Sequence, residues 1–469
     1  MRSVWLLGVF GTSAAAVAAS AGGCGDDSSG TGGNEPVCSV EAQTGCANGT
    51  HCEEVEGAEA ACFAPLTVEG RVVDLVDESG VSDALVVALD ETGRARSASV
   101  YTDTTGHYSL VLPAKRDADG RPLPLPFTLR VDAFRYVSFP ETPRGAPQLD
   151  IAGAVADGGG GSGPGTSWLL VSGDTDVGLI PLTNPTGIGT VTGIVTGRAP
   201  GGTLIQAGTA TGVADLDGDF TVFNVPIGEV NVSGYQSERN YTTATTTVEA
   251  NQDAEGVVLD PTDDASAIVT GSVEVVGAPS KEVTVSLALE GSFDEARAVG
   301  ESPPGLVTQT TSGAFSFQGV PDGIYVVLTS VEDDGLVHDA DVSPTGTAFA
   351  HVTVAAGDTD VPTPLRIRRA IGIVSPGAGE IDTATGTPTF QWKDDANEDG
   401  YHVELFDLGG GLVWETSGDL FPGDVGTASL DYGGPELDIG AFYQFRVTSS
   451  SAGKSLSTTE DLRGVFQYQ

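Results

Sequence analysis

The sequence predicts an all-β protein, a tandem array of small antiparallel β-sandwiches. The chain has 65 Gly and 26 Pro among 469 residues, while Met occurs once. This composition is typical of short strands joined by many turns. A second observation is the stretch Gly218–Val230, GDFTVFNVPIGEV, in which Phe220 and Val222 share one face of a predicted strand. Pro226 ends that strand because it has no N–H, and Gly228 turns the chain into the next strand.

The third observation is that this unit recurs. Similar strand–turn–strand patterns occupy Gly313–Tyr325 and, one residue shorter, Gly106–Pro113. Repetition of one supersecondary unit indicates an array, and a chain of this length allows roughly three or four domains. The predicted segments are a signal peptide at 1–23, a flexible tether at 24–37, a cysteine-rich module at 38–65, three sandwiches at 66–182, 188–262 and 266–369, and a C-terminal sandwich at 372–469.

The net charge is strongly negative, at −44 from 65 acidic and 21 basic residues. Such a surface repels phosphate backbones, so nucleic acid is not an expected partner. The charge fits a protein that stays soluble in an extracellular setting. Acidic loops that collect divalent cations are the alternative interpretation.

The N-terminus has the pattern of an export signal. Arg2 precedes the Ala-rich apolar run Val4–Ala19, which is short for a membrane span. The following Ala-Gly-Gly-Cys, ending at Cys24, resembles the lipobox of bacterial lipoproteins, with Ala21 where Leu is usual. The resemblance implies a lipid on Cys24 and a place in the cell envelope, at the outer membrane or cell surface. Signal cleavage after Ala21 would instead give a secreted protein with Cys24 as a plain thiol.

Four further cysteines lie close together, at Cys38, Cys46, Cys52 and Cys62. An even set in an exported chain predicts two disulfides, with three pairings open. A zinc knuckle that uses the adjacent His51 is the alternative, but the spacing contains no C-x-x-C. The segment resembles small cysteine-rich modules that follow the anchor in bacterial surface lipoproteins.

The first predicted sandwich carries a three-part motif. It comprises V-x-G-x-V at Val68–Val72, the buried strand Ala84–Leu89, and T-D-x-x-G-x-Y ending at Tyr108. This order resembles the carboxypeptidase regulatory-like family, which implies a seven-stranded sandwich of transthyretin type and a non-catalytic accessory role. V-x-G-x-V returns at Val191–Val195 and Val269–Val273, so the resemblance covers more than half of the chain.

The C-terminal segment has a different pattern. Trp392 lies on an early strand, Gly400–Asp407 alternates, and Tyr443–Val447 forms a late Y-x-F-x-V strand. This order resembles a fibronectin type III-like domain, in which Trp392 would pack between the sheets. A carbohydrate platform built from Trp414 and Tyr432 is the alternative use of the aromatic residues.

The acids Asp215, Asp217 and Asp219 alternate around Gly218 in the manner of a calcium loop. Position twelve of such a loop needs a bidentate Glu, and here it is Pro226. The sequence leaves two interpretations: a calcium site, which would be the sole cofactor, or aspartates favoured by turn geometry.

The motifs of the common enzyme classes are absent. The chain lacks G-x-S-x-G, H-E-x-x-H and a Rossmann glycine pattern that leads from a strand into a helix. The five histidines are scattered along the sequence, at His51, His107, His338, His351 and His402. We therefore expect a non-enzymatic envelope lipoprotein whose sandwiches serve adhesion or bind polysaccharide or envelope proteins. The alternatives are a glycan or cell-wall hydrolase with loop carboxylates, and a calcium-dependent adhesin.

Overall fold

The computed structural model describes most of the chain after the predicted tether. The described residues are 38–40, 43–47, 49–140, 147–157, 163–183, 185–277, 280–295, 298–329, 335–338, 347–355, 357–379, 381–395, 398–416, 426–460 and 463–469. The predicted signal peptide, Cys24 and the tether lie outside these ranges.

The described chain is all-β, so the predicted fold class is confirmed. Its small sheets are mainly antiparallel, and its helical content is three 3-10 turns, at Ile151–Gly153, Gly173–Thr175 and Glu290–Ser292. In the described ranges, no helix has the length and apolar character that a membrane crossing requires.

The cysteine-rich module is a short hairpin of β1 (His51–Glu53) and β2 (Ala61–Phe63). The predicted disulfides are present. Cys38 bonds to Cys52 and Cys46 bonds to Cys62, which selects one of the three possible pairings. Because Cys52 lies directly opposite Cys62 in the hairpin, the two bonds fasten both ends of the module to one pair of strands.

The first sandwich packs the sheet of β3, β6, β9, β10 and β11 against the sheet β5-β4-β7-β8. The strands are β3 (Leu66–Asp74), β4 (Leu85–Leu89), β5 (Val100–Tyr101), β6 (His107–Val111), β7 (Pro126–Asp132), β8 (Leu149–Asp150), β9 (Val155–Ala156), β10 (Trp168–Leu170) and β11 (Val177–Leu179). Alternating apolar residues from both sheets, such as Val68, Leu110 and Phe127, form the core between them.

The second sandwich has the sheets β15-β12-β18 and β14-β13-β16-β17. Its strands are β12 (Ile188–Val195), β13 (Leu204–Ala207), β14 (Ala210–Val213), β15 (Asp219–Pro226), β16 (Gly228–Tyr235), β17 (Ala244–Val248) and β18 (Asp253–Leu259). As the sequence predicts, Pro226 is the last residue of β15 and Gly228 begins β16.

The third sandwich has the sheet β22-β19-β27-β24, with β26 also on β19, and the sheet β21-β20-β23-β25. Its strands are β19 (Ala267–Val275), β20 (Val283–Leu289), β21 (Val307–Thr310), β22 (Gly313–Val320), β23 (Gly323–Thr329), β24 (Leu336–His338), β25 (Ala350–Val354), β26 (Thr359–Asp360) and β27 (Leu365–Arg369).

The C-terminal sandwich has the sheets β28-β30-β33 and β29-β36-β34-β31-β32, with β35 on β34. Its strands are β28 (Ile373–Ser375), β29 (Asp382–Ala384), β30 (Thr389–Lys393), β31 (Gly400–Asp407), β32 (Leu412–Glu415), β33 (Thr427–Asp431), β34 (Phe442–Ser451), β35 (Lys454–Thr458) and β36 (Val465–Tyr468). Trp392 is fully buried in its core, next to Tyr401.

The first three sandwiches share one arrangement around their opening strand. The glycine of V-x-G-x-V lies directly opposite the aromatic residue of the hairpin strand in every copy, as the pairs Gly70–Tyr108, Gly193–Phe220 and Gly271–Phe315. A Cβ on Gly193 would lie 2.6 Å from the Phe220 ring and 2.1 Å from a backbone oxygen of Val257. The glycine therefore leaves room for the aromatic ring and for the close approach of the neighbouring chain.

Candidate functional site

Buried and partly buried polar side chains connect the first three sandwiches where these meet. We call the residues through which the sandwiches contact one another the three-sandwich junction. It is built around the side chains Asp215, Asn224 and Arg130 and an apolar centre. Each of the three sandwiches contacts both of the others there.

Asp215 joins the second sandwich to the first. Its side chain is buried, and its Oδ2 accepts hydrogen bonds from the Ser99 backbone N–H at 2.8 Å and the Ser99 hydroxyl at 2.9 Å. The adjacent Leu216 N–H donates to the Ser97 carbonyl oxygen at 2.9 Å. A buried carboxylate held by several donors is an orientation-specific contact, because its hydrogen bonds fail if either sandwich rotates.

The other oxygen of Asp215 closes a local turn. Its Oδ1 accepts from the backbone N–H groups of Asp217 and Asp219, at 3.0 and 3.1 Å. The same D-x-x-G turn, with the aspartate bonded to the N–H groups two and four residues on and a glycine at positive φ, occurs at Asp90, Asp103 and Asp117. The spacing that suggested a calcium loop is thus a turn motif that this chain uses repeatedly.

The calcium candidates do not converge in this structure. Asp215 is buried, whereas Asp217 and Asp219 are exposed. Partial burial and the neighbouring carboxylates Asp215 and Asp217 raise the pKa of Asp219. The three-ligand groups with atoms within 4.8 Å of one another, as far as the described residues go, are Cys38–Cys46–Cys52 and His402–Glu404–Glu415. Calcium at the three aspartates stays a prediction.

Asn224 forms a second contact between the first two sandwiches. It has a left-handed backbone, φ 61°, at a register shift in the pairing of β12 and β15. Its side-chain amide donates to the carbonyl oxygens of Ala133 and Tyr136, at 3.2 and 2.9 Å, and its Oδ1 accepts from the Arg135 N–H at 2.6 Å. The bulge thus points a side chain out of one sandwich into a turn of the other.

Arg130 joins the first sandwich to the third, although the two are not neighbours in sequence. Its guanidinium is buried, pairs with Asp132 at 2.8 Å and reaches Glu301 of the third sandwich at 3.0 Å. Burial alone would lower the pKa of Arg130, but the charges of Asp132 and Glu301 outweigh it and raise the pKa above its ordinary value. The arginine therefore stays charged, and its position fixes these two sandwiches against each other.

The centre of the junction is apolar. Leu204 and Val213 of the second sandwich belong to the buried core cluster of the third, and Leu89 of the first sandwich packs against it. Tyr235 and Tyr325 meet edge to face, with ring centroids 6.3 Å apart. The hydrophobic effect and the polar contacts therefore act on one interface, as in a permanent domain contact.

The cysteine-rich module is attached to the first sandwich through another buried ion pair. Arg116, fully buried, pairs through its Nε with Glu53, and Phe63 lies 5.2 Å from its guanidinium. Glu53 also accepts from the Ala114 N–H at 3.2 Å. Two backbone bonds join Arg116 to Glu54 and Glu56, each at 2.8 Å. The cysteine-rich module is therefore part of the folded body and not of the tether.

The C-terminal sandwich joins the third through backbone and side-chain contacts. The Ile371 N–H donates to the Thr458 carbonyl oxygen at 2.9 Å, and the Ser457 hydroxyl donates to the Arg369 carbonyl oxygen at 2.8 Å. The Gly335 N–H reaches Glu460 Oε1 at 3.0 Å.

The two aromatic residues of the suggested carbohydrate platform do not form a flat surface. Trp414 and Tyr432 are partly buried, pack against the C-terminal core and meet at an interplanar angle of 73°. A sugar ring stacks on one aromatic face, so this edge-to-face pair offers no shared plane. A third aromatic residue, Trp168, is also partly buried but lines a cleft, and the sequence analysis did not single it out as a binding residue.

Trp168 lines an open cleft of about 600 Å³ on the first sandwich. Its indole Nε1 is buried and has no hydrogen-bond partner within the described protein, so the cleft is lined by other atoms of the ring. Arg121 and the small side chains Ala152, Ala154 and Ala156 line the same cleft. An aromatic ring, a guanidinium and small side chains in one cleft can hold an extended polar chain.

Comparison with known proteins leaves the family open. No protein-family model and no curated protein matches the chain. The Bacillus anthracis TIE protein is similar over 83% of this chain and 66% of its own length, at 10% identity and a TM-score of 0.16. BcpA, the major pilin subunit of Bacillus cereus, matches 65% of this chain and 99% of its own, at 10% identity and a TM-score of 0.17. The shaft pilin SpaA from Lactobacillus rhamnosus GG matches 42% of this chain and 98% of its own, at 8% identity and a TM-score of 0.16. At these TM-scores the matches carry no argument about function.

Proposed function

We propose that the chain is a non-enzymatic cell-envelope protein, anchored by a lipid on Cys24, that displays a rigid body for adhesion or polysaccharide binding. The observation that carries this proposal is the three-sandwich junction. Buried carboxylates, a buried arginine and an apolar centre hold the parts in one arrangement, so that their outer surfaces keep fixed positions. Fixed surfaces bind a repetitive ligand at several points with little loss of conformational entropy.

The shape differs from a stalk of successive sandwiches. In a stalk, only sequence neighbours touch, whereas Arg130 and Glu301 join the first sandwich to the third. With the cysteine-rich module attached through Arg116, the body begins within about fifteen residues of Cys24. The protein would therefore be a compact head on a short tether close to the membrane. The C-terminal sandwich is attached to this head through the third sandwich.

The cleft beside Trp168 is the proposed contact for a sugar chain. The experiment incubates the purified full chain with cell-wall and capsular polysaccharides and scores both retention and released fragments. We expect retention without fragments, weakened in Trp168→Ala and kept in the matched surface variant Val171→Ala. Fragments would overturn the non-enzymatic assignment, and equal retention by both variants would place the contact elsewhere.

The anchor is tested separately. Cys24→Ala should move the protein from the membrane fraction to the soluble fraction, because the lipid needs the thiol. If the variant stays in the membrane fraction, the lipid on Cys24 is not the anchor.

A further inference from the structure

The outer face of the C-terminal sandwich carries three metal-ligand side chains that the proposed function does not use. His402 and Glu404 lie two residues apart on β31, so they share one face of the strand. Glu415 lies on β32 directly opposite Glu404. One ligand atom from each side chain lies within 4.8 Å of the other two.

The spacing fits a single small cation. His402 Nε2 and Glu415 Oε2 are 3.1 Å apart. Ligand atoms bound tetrahedrally at about 2.0–2.2 Å from an ion are separated by roughly 3.4 Å. The His402–Glu415 pair is already near this separation, and the Glu404 carboxylate, within 4.8 Å of both, would close on the ion. The strands supply the rigid support, because Tyr401, Val403 and Leu405, which alternate with the ligands, are fully buried.

The histidine ring is held by a residue outside the group of ligands. Its Nδ1 lies 3.1 Å from the hydroxyl of Thr416, which is 7% exposed and also accepts from the Val403 N–H at 3.2 Å. Metal-ligating histidines are usually oriented by such a contact at the other ring nitrogen. The contact leaves Nε2 facing the carboxylates.

The two glutamates form a like-charge pair across the strands, which is unfavourable without a counterion. Arg446 lies opposite Glu404 on its other side, where its charge offsets part of this repulsion; its guanidinium also donates to Gln444 Oε1 at 3.2 and 3.3 Å and lies over the Phe406 ring. A divalent cation between Glu404 and Glu415 would remove the repulsion. The net charge of −44 also raises the local concentration of cations.

We infer that His402, Glu404 and Glu415 bind a divalent first-row transition metal, with Zn²⁺ as the reference ion. The imidazole ligand favours zinc, copper or nickel over calcium and magnesium, which prefer oxygen. Three protein ligands leave a fourth position for water or for a donor atom of a partner. Cys38, Cys46 and Cys52, the other ligand group of the described chain, are held in disulfides and offer no thiolate.

The test is a competition titration of the purified full chain with zinc and a chromophoric chelator. We expect the parent chain to bind one zinc at this site. His402→Gln and Glu415→Gln should each reduce the zinc affinity about tenfold or more, because even the loss of a residue that only orients a ligand has an effect of this size. His351→Gln is the matched control, because His351 also contacts a carboxylate, Glu290 at 2.6 Å, without belonging to a three-ligand group in the described chain. Calcium at the same concentration should not compete.

The inference would be overturned if the parent chain bound no zinc, or if binding survived both ligand substitutions. An equal loss in His351→Gln would also overturn it, since it would show non-specific binding to histidine. Circular dichroism of each variant checks the fold. The exposed Glu415 is the substitution least expected to disturb it.

Discussion

Asp103 in the first sandwich and Asp215 in the second occupy the same position of the same motif, D-x-x-G-x-aromatic, before Tyr108 and Phe220. Both close an identical turn, with one carboxylate oxygen bonded to the N–H groups two and four residues on. Asp103 is exposed, and its carboxylate accepts hydrogen bonds from Thr105 and His107 of the same turn. Asp215 is 4% exposed, and its second oxygen binds Ser99 of another sandwich.

The difference shows how a repeated local motif acquires a role between domains. The turn needs one oxygen of the aspartate, so the other is available wherever a neighbouring surface supplies donors. In the first sandwich the Asp103 carboxylate is exposed to solvent. In the second, the free oxygen of Asp215 meets the segment around Ser99. The Asp215 contact of the junction thus comes from a side chain that the fold of a single sandwich already requires.

The largest effect is expected from the contact that has no counterpart in a single sandwich. Arg130→Met leaves Asp132 and Glu301 without their shared cation in a buried site. We expect a loss of about 3–5 kcal/mol in the free energy of unfolding, measured by urea titration. Arg71→Met, at an exposed position of β3, is the control and should change little. A loss below about 1 kcal/mol for Arg130→Met would contradict a closed junction.

The second-largest loss of stability is expected from Asp215, with Asp103 as its counterpart in the first sandwich. Asp215→Ala leaves the Ser99 N–H and the turn N–H groups without acceptors, so we expect a loss of about 1–3 kcal/mol. Asp103→Ala should cost clearly less, because water replaces the lost acceptor. Thermal unfolding of the two variants side by side makes the comparison. Equal losses would mean that Asp215 stabilises the protein only through its local turn and not through its contact with Ser99.

A smaller effect depends on pH. Hydrogen bonds from the Thr105 side chain and backbone, and then from the His107 backbone, hold the pKa of Asp103 below its ordinary value of 3.8. A lowered folded-state pKa stabilises the fold at neutral pH, and this contribution disappears as the pH falls through the folded-state value. The stability difference between the parent chain and Asp103→Asn should therefore shrink as the pH drops below 3.8. A difference that stays constant from pH 7 to pH 2 would contradict this assignment.

Local pattern was enough to predict the strands that carry the repeated motifs. V-x-G-x-V predicted β3, β12 and β19, and the recurring G-x-aromatic hairpin pattern predicted β6, β15 and β22; the glycine–aromatic pairs join these strands in the structure. Composition predicted the class, and the even number of clustered cysteines predicted the disulfides but not their pairing.

The junction could not be predicted in this way, because its partners are far apart in sequence. Arg130 alternates with Leu129 and Val131, so the pattern places it on an outward face, where the third sandwich then buries it. The contact between Ser99 and Asp215 spans 116 residues. His402 is likewise isolated in the sequence until β32 brings Glu415 next to it. No local signal marks such pairings.

The most direct test of the closed junction is an engineered disulfide between its first and third sandwiches. A Cβ built on Gly93 lies 3.5 Å from the Cβ of Pro304, within the range that a disulfide spans. Gly93 has a φ of 83°, so a cysteine there is strained, and the control pair therefore carries the same substitution. In the double variant Gly93→Cys, Pro304→Cys, we predict that air oxidation yields the 93–304 crosslink, detected by peptide mass mapping, and that a control pair of Gly93→Cys with Gly386→Cys does not. A 93–304 yield no higher than the control would show that the sandwiches stand apart as a stalk.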